Sequence, residues 1–203
     1  MQSEPHVKSL VSSTDLVAYR QGQPLFAPFN MEVCRGMIAV IRGANGTGKS
    51  TLLNCLSNQY FDRTGRLRCA SNSLSYLPQG QRHPQTVPLS ELAPLAVGYC
   101  AERYHQLLDK LEIPPETAAR LPSILSGGEL QKARLLLALL RSHDVLFLDE
   151  PFANMDKQCR PRVLNELERT RSSRATVLIS HPSDVESLEL KEVSEFELRQ
   201  PEH

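Results

Sequence analysis

Eight consecutive residues, Gly43-Ala44-Asn45-Gly46-Thr47-Gly48-Lys49-Ser50, place Gly43, Gly48, Lys49 and the Ser50 hydroxyl at the spacing G-x-x-x-x-G-K-[ST], with a third glycine, Gly46, between them. Glycines let a backbone curl until several N–H groups point at one anion, and a lysine behind them adds a mobile positive charge. The chemistry such a loop can do is to hold a nucleoside triphosphate by its phosphates. Lys49 would reach the β- and γ-phosphates, and the Ser50 hydroxyl would ligate Mg2+. The loop must also be placed. Met37-Ile38-Ala39-Val40-Ile41 before it reads as a buried strand, and Thr51-Leu52-Leu53-Asn54-Cys55-Leu56 after it opens an amphipathic helix whose N-terminal dipole adds to the anion site.

Two further stretches narrow the chemistry. Leu125-Ser126-Gly127-Gly128-Glu129 precedes a helix-like run, Leu130 to Leu140, so Ser126, Gly127 and Gly128 sit at a helix N-terminus and offer a second anion site. Taken alone, this is also what an ordinary serine cap with two glycines looks like. Val145-Leu146-Phe147-Leu148-Asp149-Glu150 is an apolar strand ending in two carboxylates. That order suits a magnesium-binding Asp149 followed by a Glu150 that orients water. An acid pair after a strand is also a common helix start. Here it follows both phosphate-binding stretches.

With these motifs in this order, the sequence closely resembles the nucleotide-binding domain of the ATP-binding cassette (ABC) family, over nearly the whole chain. Three smaller elements match in order: Gln79 in Tyr76-Leu77-Pro78-Gln79 resembles the Q-loop glutamine, Ala153-Asn154-Met155-Asp156 the D-loop, and His181 in Leu178-Ile179-Ser180-His181 the switch histidine. Tyr19 falls where the family places an aromatic that stacks on adenine. The resemblance implies ATP and Mg2+ as ligands. It assigns Tyr19 to adenine, residues Gly43 to Thr51 to the phosphates, and Ser50, Asp149 and Gln79 to the magnesium sphere. Glu150 would polarise the attacking water, with Lys49, Gln79 and His181 completing the catalytic set, and Ser126, Gly127 and Gly128 would close the site of a partner protomer. No motif residue is replaced by an inactive substitute.

Composition sets bounds. The chain has 203 residues, with 23 Lys and Arg against 23 Asp and Glu. It is long enough for one domain with a real core, and without a basic excess no nucleic-acid partner is expected. The N-terminus lacks the apolar core of a signal peptide, and the longest apolar run, around Leu135 to Leu140, is too short to span a bilayer. Five cysteines without pairing spacing read as reduced thiols of a cytoplasmic protein.

The expected fold class is α/β: a P-loop NTPase of ABC type with a largely parallel core sheet, an N-terminal antiparallel β portion and a small helical lobe. The turn-rich Pro78-Gln79-Gly80-Gln81-Arg82-His83-Pro84 marks a joint. It divides a single 1–203 domain into an ATP-binding core (1–79 and 124–203) and a helical lobe (80–123), with helices at Leu89-Ser90-Glu91-Leu92 and at Ala101 to Leu108. Strands at Val145–Leu148 and Ala175–Ser180, separated by a helix over Arg160–Arg171, fit a β-α-β crossover. Lys49 and Ser126 lie 77 positions apart; set beside the importers of the family the chain resembles, that spacing is compressed, with the shortening between Gly98-Tyr99 and Ala101-Glu102.

The resemblance implies an ATP-hydrolysing energy-coupling subunit of a membrane transporter. Its partners would be integral-membrane transporter subunits and a second cassette, as a homodimer or a pair with a related chain, on the cytoplasmic face of the cell membrane. Tyr76-Leu77-Pro78-Gln79 with Val87-Pro88-Leu89-Ser90 is similar to metal and metal-chelate importers. The compact length is similar to the haem-exporter ATPase of cytochrome c maturation. A soluble ATPase of assembly or repair, such as iron–sulfur cluster assembly, is the alternative of another class.

Overall fold

The protein is described here by a computed structural model covering residues 9–80, 86–180 and 193–201. The chain opens on β1 (Ser9–Arg20), continues through β2 (Gln23–Pro24) and β3 (Phe29–Cys34), and enters the core as β4 (Ile38–Arg42). After α1 (Lys49–Leu56) come β5 (Arg63–Cys69) and β6 (Leu74–Leu77). A helical stretch follows, with α2 (Leu89–Leu92), α3 (Ala101–Lys110) and α4 (Pro115–Ala118), before α5 (Gly127–Leu140). The chain then alternates β7 (Val145–Asp149), α6 (Cys159–Arg169) and β8 (Ala175–Ile179), and β9 (Val193–Glu197) lies near the end.

Two sheets result. In the antiparallel one, β1 pairs with β3 along one edge, with β5 along the other and with β2 at its end. In the parallel one the order is β6-β7-β8-β4-β9. Its middle strands β7, β8 and β4 are buried at every position but Arg42 and are apolar except for Asp149, Thr176 and Arg42, because both faces are covered. Side-chain alternation sorts them: Ile38, Val40, Leu146, Leu148 and Leu178 face a cluster with α5, α6 and the helical stretch. Ala39, Ile41, Phe147, Val177 and Ile179 face the other way, onto Leu52, Leu53 and Leu56 of α1 and the inner side of the antiparallel sheet. Parallel pairing brings the C-terminal ends of β4, β6, β7 and β8 to one edge, and in such sheets ligands bind outside that edge.

The element reading holds with local changes. The strand expected at Met37–Ile41 begins one residue later, and the helix expected from Thr51 already starts at Lys49. The helix at Leu89 is a single turn, since Pro94 lacks the N–H that would continue the ladder, and a 3-10 turn (Ala93–Leu95) replaces it. The helix expected over Arg160–Arg171 ends at Arg169 and is followed by a 3-10 turn at Arg171–Ser173. The expected joint lies only partly within the described residues.

The helical stretch is tied to the core by more than apolar packing. Arg103 and Lys110 of α3 both donate to Glu166 of α6, which also accepts from Arg169. The Glu166 side chain is 1% exposed. Burial would raise its pKa, but bonds from Arg169, Arg103 and Lys110 overcome that and bring it to about 2. None of the five cysteines forms a disulfide.

Candidate functional site

The loop of Gly43 to Ser50 leaves the end of β4 and turns directly into α1. Its last glycine, Gly48, is the helix N-cap at φ 87, a left-handed conformation favouring glycine, and a Cβ there would lie 3.1 Å from the Phe26 ring. Among the described residues no side chain caps α1. The N–H groups of its first turn therefore remain available to an anion. The loop braces itself through Thr47, whose hydroxyl donates to the Ala44 carbonyl at 2.9 Å. Ala44, Asn45 and Gly46 are exposed, and Ser50 and Thr51 are half-buried. Lys49 folds back over the loop, its Nζ donating to the carbonyls of Gly43 (2.8 Å) and Ala44 (3.0 Å). Those weak neutral partners are readily exchanged for phosphate oxygens.

At the same sheet edge, β7 ends in Asp149, which is 2% exposed. Burial raises its pKa, while the Ser50 hydroxyl, the Gln79 backbone amide and Lys49 act against that rise. Neither Ser50 nor Gln79 reaches it with hydrogen-bond geometry, and both carboxylate oxygens lack a partner among the described residues. A buried carboxylate in that condition is costly, and a divalent cation shared with Ser50 relieves the cost. The residues thus fit Mg2+. The next residue, Glu150, is held at φ 48 by a bond from its N–H to the Ile179 carbonyl (3.0 Å), and its Oε2 accepts from Gln79 Nε2 at 2.5 Å. The structure thus brings Lys49, Ser50, Gln79, Asp149 and Glu150 to one edge. His181 lies outside the described residues.

Tyr19 is half-buried near the end of β1. Its N–H donates to the Asp62 carbonyl (2.8 Å), its own carbonyl accepts from the Tyr60 hydroxyl, and its phenol oxygen accepts from Thr64 at 3.4 Å. Its neighbour Ala18 bonds Leu25, and Leu25 and Phe26 lie against Gly48, so this strand end is adjacent to the Gly43 to Ser50 loop. Phe26 itself is fully buried. It is core, and no surface for a base.

The Ser126-Gly127-Gly128 stretch is the N-terminus of α5, as the sequence indicated. Ser126 and Glu129 form a capping box, with the Ser126 N–H donating to Glu129 Oε2 (2.8 Å) and the Glu129 N–H to Ser126 Oγ (3.3 Å). Gly128 packs against the loop after β7, where a Cβ would meet the Asn154 carbonyl at 2.9 Å. Asp156 of that loop accepts from Lys132 of α5 (2.9 Å) and from the Cys159 N–H (2.7 Å). Sequence reasoning passed over Gln131 and Arg134, both buried on α5 and both bonded to backbone beside the site residues. The run from Leu130 to Leu140 carries three polar residues, Gln131, Lys132 and Arg134, and their types alone do not single out the two that are buried.

The ABC transporter family profile matches residues 26–153, more than half of the chain and the whole loop-to-acid region. The chain belongs to the ABC transporter family. Among similar ABC proteins, the zinc import ATP-binding protein ZnuC 1 of Hahella chejuensis is 34% identical over 149 residues, covering 72% of this chain and 58% of that protein. The nickel import ATP-binding protein NikE of Pseudomonas putida is 32% identical over 166 residues, covering 68% of this chain and 61% of that protein. The chain therefore spans about three fifths of the length of these two relatives. An ATP-binding subunit of an ABC transporter superposes with a TM-score of 0.75 at 22% identity, covering 85% of this chain and 80% of that one. The ABC fold with its parallel sheet and antiparallel β portion is thereby shared. Among the described residues no helix is long and apolar enough to cross a membrane.

Proposed function

We propose that this chain is the ATP-hydrolysing, energy-coupling subunit of a membrane ABC transporter for metal uptake, working as a pair of cassettes beneath integral-membrane subunits on the cytoplasmic side. The observation that carries the ATPase reading is the meeting, at one sheet edge, of a helix N-terminus uncapped and a buried carboxylate unbonded among the described residues, with a lysine resting on loop carbonyls beside them. In this reading the α1 N–H groups and Lys49 bind the β- and γ-phosphates, Ser50, Asp149 and Gln79 hold Mg2+, and Tyr19 stacks on adenine. Bound Mg2+ would supply neutralisation of charge on the phosphate oxygens. Glu150 accepts a hydrogen bond from the attacking water and orients it, with His181 as a further polar group on the γ-phosphate side. Phosphoryl transfer needs little covalent chemistry from the protein, so positioning and charge dominate.

The metal-uptake reading is supported by the import ATP-binding proteins named above. The partner reading is supported by the surface of the helical stretch. Of the large apolar residues exposed among the described positions, Leu95 (78%), Val97 (67%), Leu121 (42%) and Ile124 (67%) all lie there, with Phe61 the exception. Nearby, Leu89, Leu92, Pro122, Leu125 and Leu130 line a shallow apolar groove. Apolar surface so concentrated suits a protein partner.

The test is a pair of variants in the purified protein, alone or with its membrane subunits. Glu150→Gln keeps the shape and loses the carboxylate, so ATP binding is retained and turnover stops. Lys49→Ala removes the charge facing the phosphates and weakens ATP binding itself. Normal hydrolysis by either variant overturns the assignment of that residue.

A further inference from the structure

Gln131 and Arg134 stand one turn apart on α5, and both are buried although polar, at 8% and 6% exposure. Gln131 Nε2 donates to the Pro151 carbonyl (3.0 Å), and Arg134 Nη2 donates to the Pro78 carbonyl (2.5 Å). The two side chains are joined by Arg134 Nη1 to Gln131 Oε1 at 3.5 Å. Pro78 immediately precedes Gln79, and Pro151 immediately follows Glu150. Gln79 and Glu150 are themselves bonded. The contacts form a closed ring: Glu150 and Pro151, Gln131, Arg134, Pro78 and Gln79, and back to Glu150.

A guanidinium is an expensive group to place in this position. Its bonds here go to neutral oxygens, its Nε has no partner among the described residues, and burial lowers its pKa. A leucine in the same space would cost the fold less. What the guanidinium adds is direction, since two donors of one rigid fork address Pro78 and Gln131 together. Proline fixes φ, so a bond that pins its carbonyl also fixes the peptide plane leading into the next residue. On the other side Gln131 pins the carbonyl of Pro151, the residue after Glu150, and the ring-fixed φ of that proline ties the pinned carbonyl back to Glu150, which is itself kept at a positive φ.

We infer that Gln131 and Arg134 are positioning residues for ATP hydrolysis: they hold the Gln79 amide against the Glu150 carboxylate and so set where that carboxylate stands relative to the phosphate loop. This rests on the assignment of Gln79 and Glu150 proposed above.

The experiment measures ATP hydrolysis and fluorescent-ATP binding for Arg134→Met, Arg134→Lys and Gln131→Glu, and for Arg134→Met combined with Gln79→Ala. Arg134→Met keeps the length and loses the donors. It is expected to lower kcat about tenfold or more with the ATP requirement and the melting temperature little changed, the loss of one charged hydrogen bond being enough for that. Arg134→Lys, which still reaches one carbonyl, should recover part of the rate. If Arg134 acts through Gln79, the double variant is no slower than Gln79→Ala alone. Gln131→Glu tests the ring independently of Arg134, because it places an acceptor against the Pro151 carbonyl, and it should likewise lower kcat at unchanged ATP binding. Unchanged kcat in Arg134→Met and Gln131→Glu overturns the inference, as does a rate loss that multiplies with that of Gln79→Ala. Loss of ATP binding and melting temperature in parallel with rate, without recovery in Arg134→Lys, also overturns it in favour of a structural role. Glu150→Gln separates the two levels. If that variant turns over normally, the site reading falls; if it is inactive while Arg134→Met is normal, only the positioning role falls.

Discussion

Tyr19 is anchored through its main chain on both sides, by Asp62 and Tyr60, while among the described residues its phenol oxygen has only a long contact from Thr64. The backbone is thus fixed and the ring is lightly held, which is what a stacking platform requires. Tyr19→Ala is expected to raise the ATP concentration needed for half-maximal hydrolysis more than it lowers the maximal rate, because base stacking is worth about 1–3 kcal/mol and is similar in ground and transition states. Tyr19→Phe keeps the ring and should be mild. A titration of rate against ATP separates the two, and an unchanged requirement in Tyr19→Ala would move the base elsewhere. Gly48→Ala is a second test at this scale. The new methyl would press on the Phe26 ring at 3.1 Å and sit at a positive φ, so the loop must deform. Weakened nucleotide binding in an otherwise folded protein is the expected result, and wild-type binding would mean the loop tolerates the change.

The junction of α3 with α6 makes acid stability a property of particular elements. Glu166 has a folded pKa of about 2 against an ordinary value of 4.5, so its stabilisation is present above 4.5 and is lost as pH falls toward 2. His143, just before β7, is kept neutral by burial and by the adjacent Arg174, which depress its pKa from 6.5 to about 3. Below 6.5 the unfolded chain takes up a proton that folded His143 refuses, so stability already declines from there. Urea unfolding at a series of pH values should therefore show two stages of loss, and His143→Gln should remove the one that begins near 6.5. A single stage, unaffected by His143→Gln, would contradict this. The same elements show what the sequence disclosed. The parallel strands were legible because Ile38 to Ile41 and Val145 to Leu148 are apolar without interruption, and α5 because the run from Leu130 to Leu140 has an apolar face and follows a serine suited to an N-cap. The path of β1 was not read in detail, since Ser12-Ser13-Thr14-Asp15 is polar and a register irregularity there, with Asp15 at φ 49, breaks the alternation. Within the site, the residues that touch phosphate or Mg2+ in the proposed reading announce themselves by type and spacing. Gln131 and Arg134 do not, because their partners are backbone carbonyls far away in sequence.

For the whole molecule, two helix N-termini suited to phosphate are built into one chain but are separated by the core. α1 addresses the loop after β4, whereas Ser126 is exposed, bonds within its own capping box, and heads a helix packed against the loop after β7. A second dipole aimed at the γ-phosphate is then most simply supplied by another copy, and a two-fold arrangement would form two such composite sites at once. The expectation is an ATP-dependent head-to-tail pair in which Ser126 acts on nucleotide held by the other protomer. A defined heterodimer of one Lys49→Ala chain and one Ser126→Arg chain, both carrying Glu150→Gln to hold ATP, distinguishes the possibilities. If Ser126 acts in trans, one of its sites keeps an intact loop and an intact Ser126, and the pair should trap about one ATP where the parent pair traps about two. If Ser126 acts in cis, both sites are damaged and nothing is trapped. Failure of the Glu150→Gln protein to dimerise with ATP, even with its membrane subunits present, would rule out a shared site for this chain.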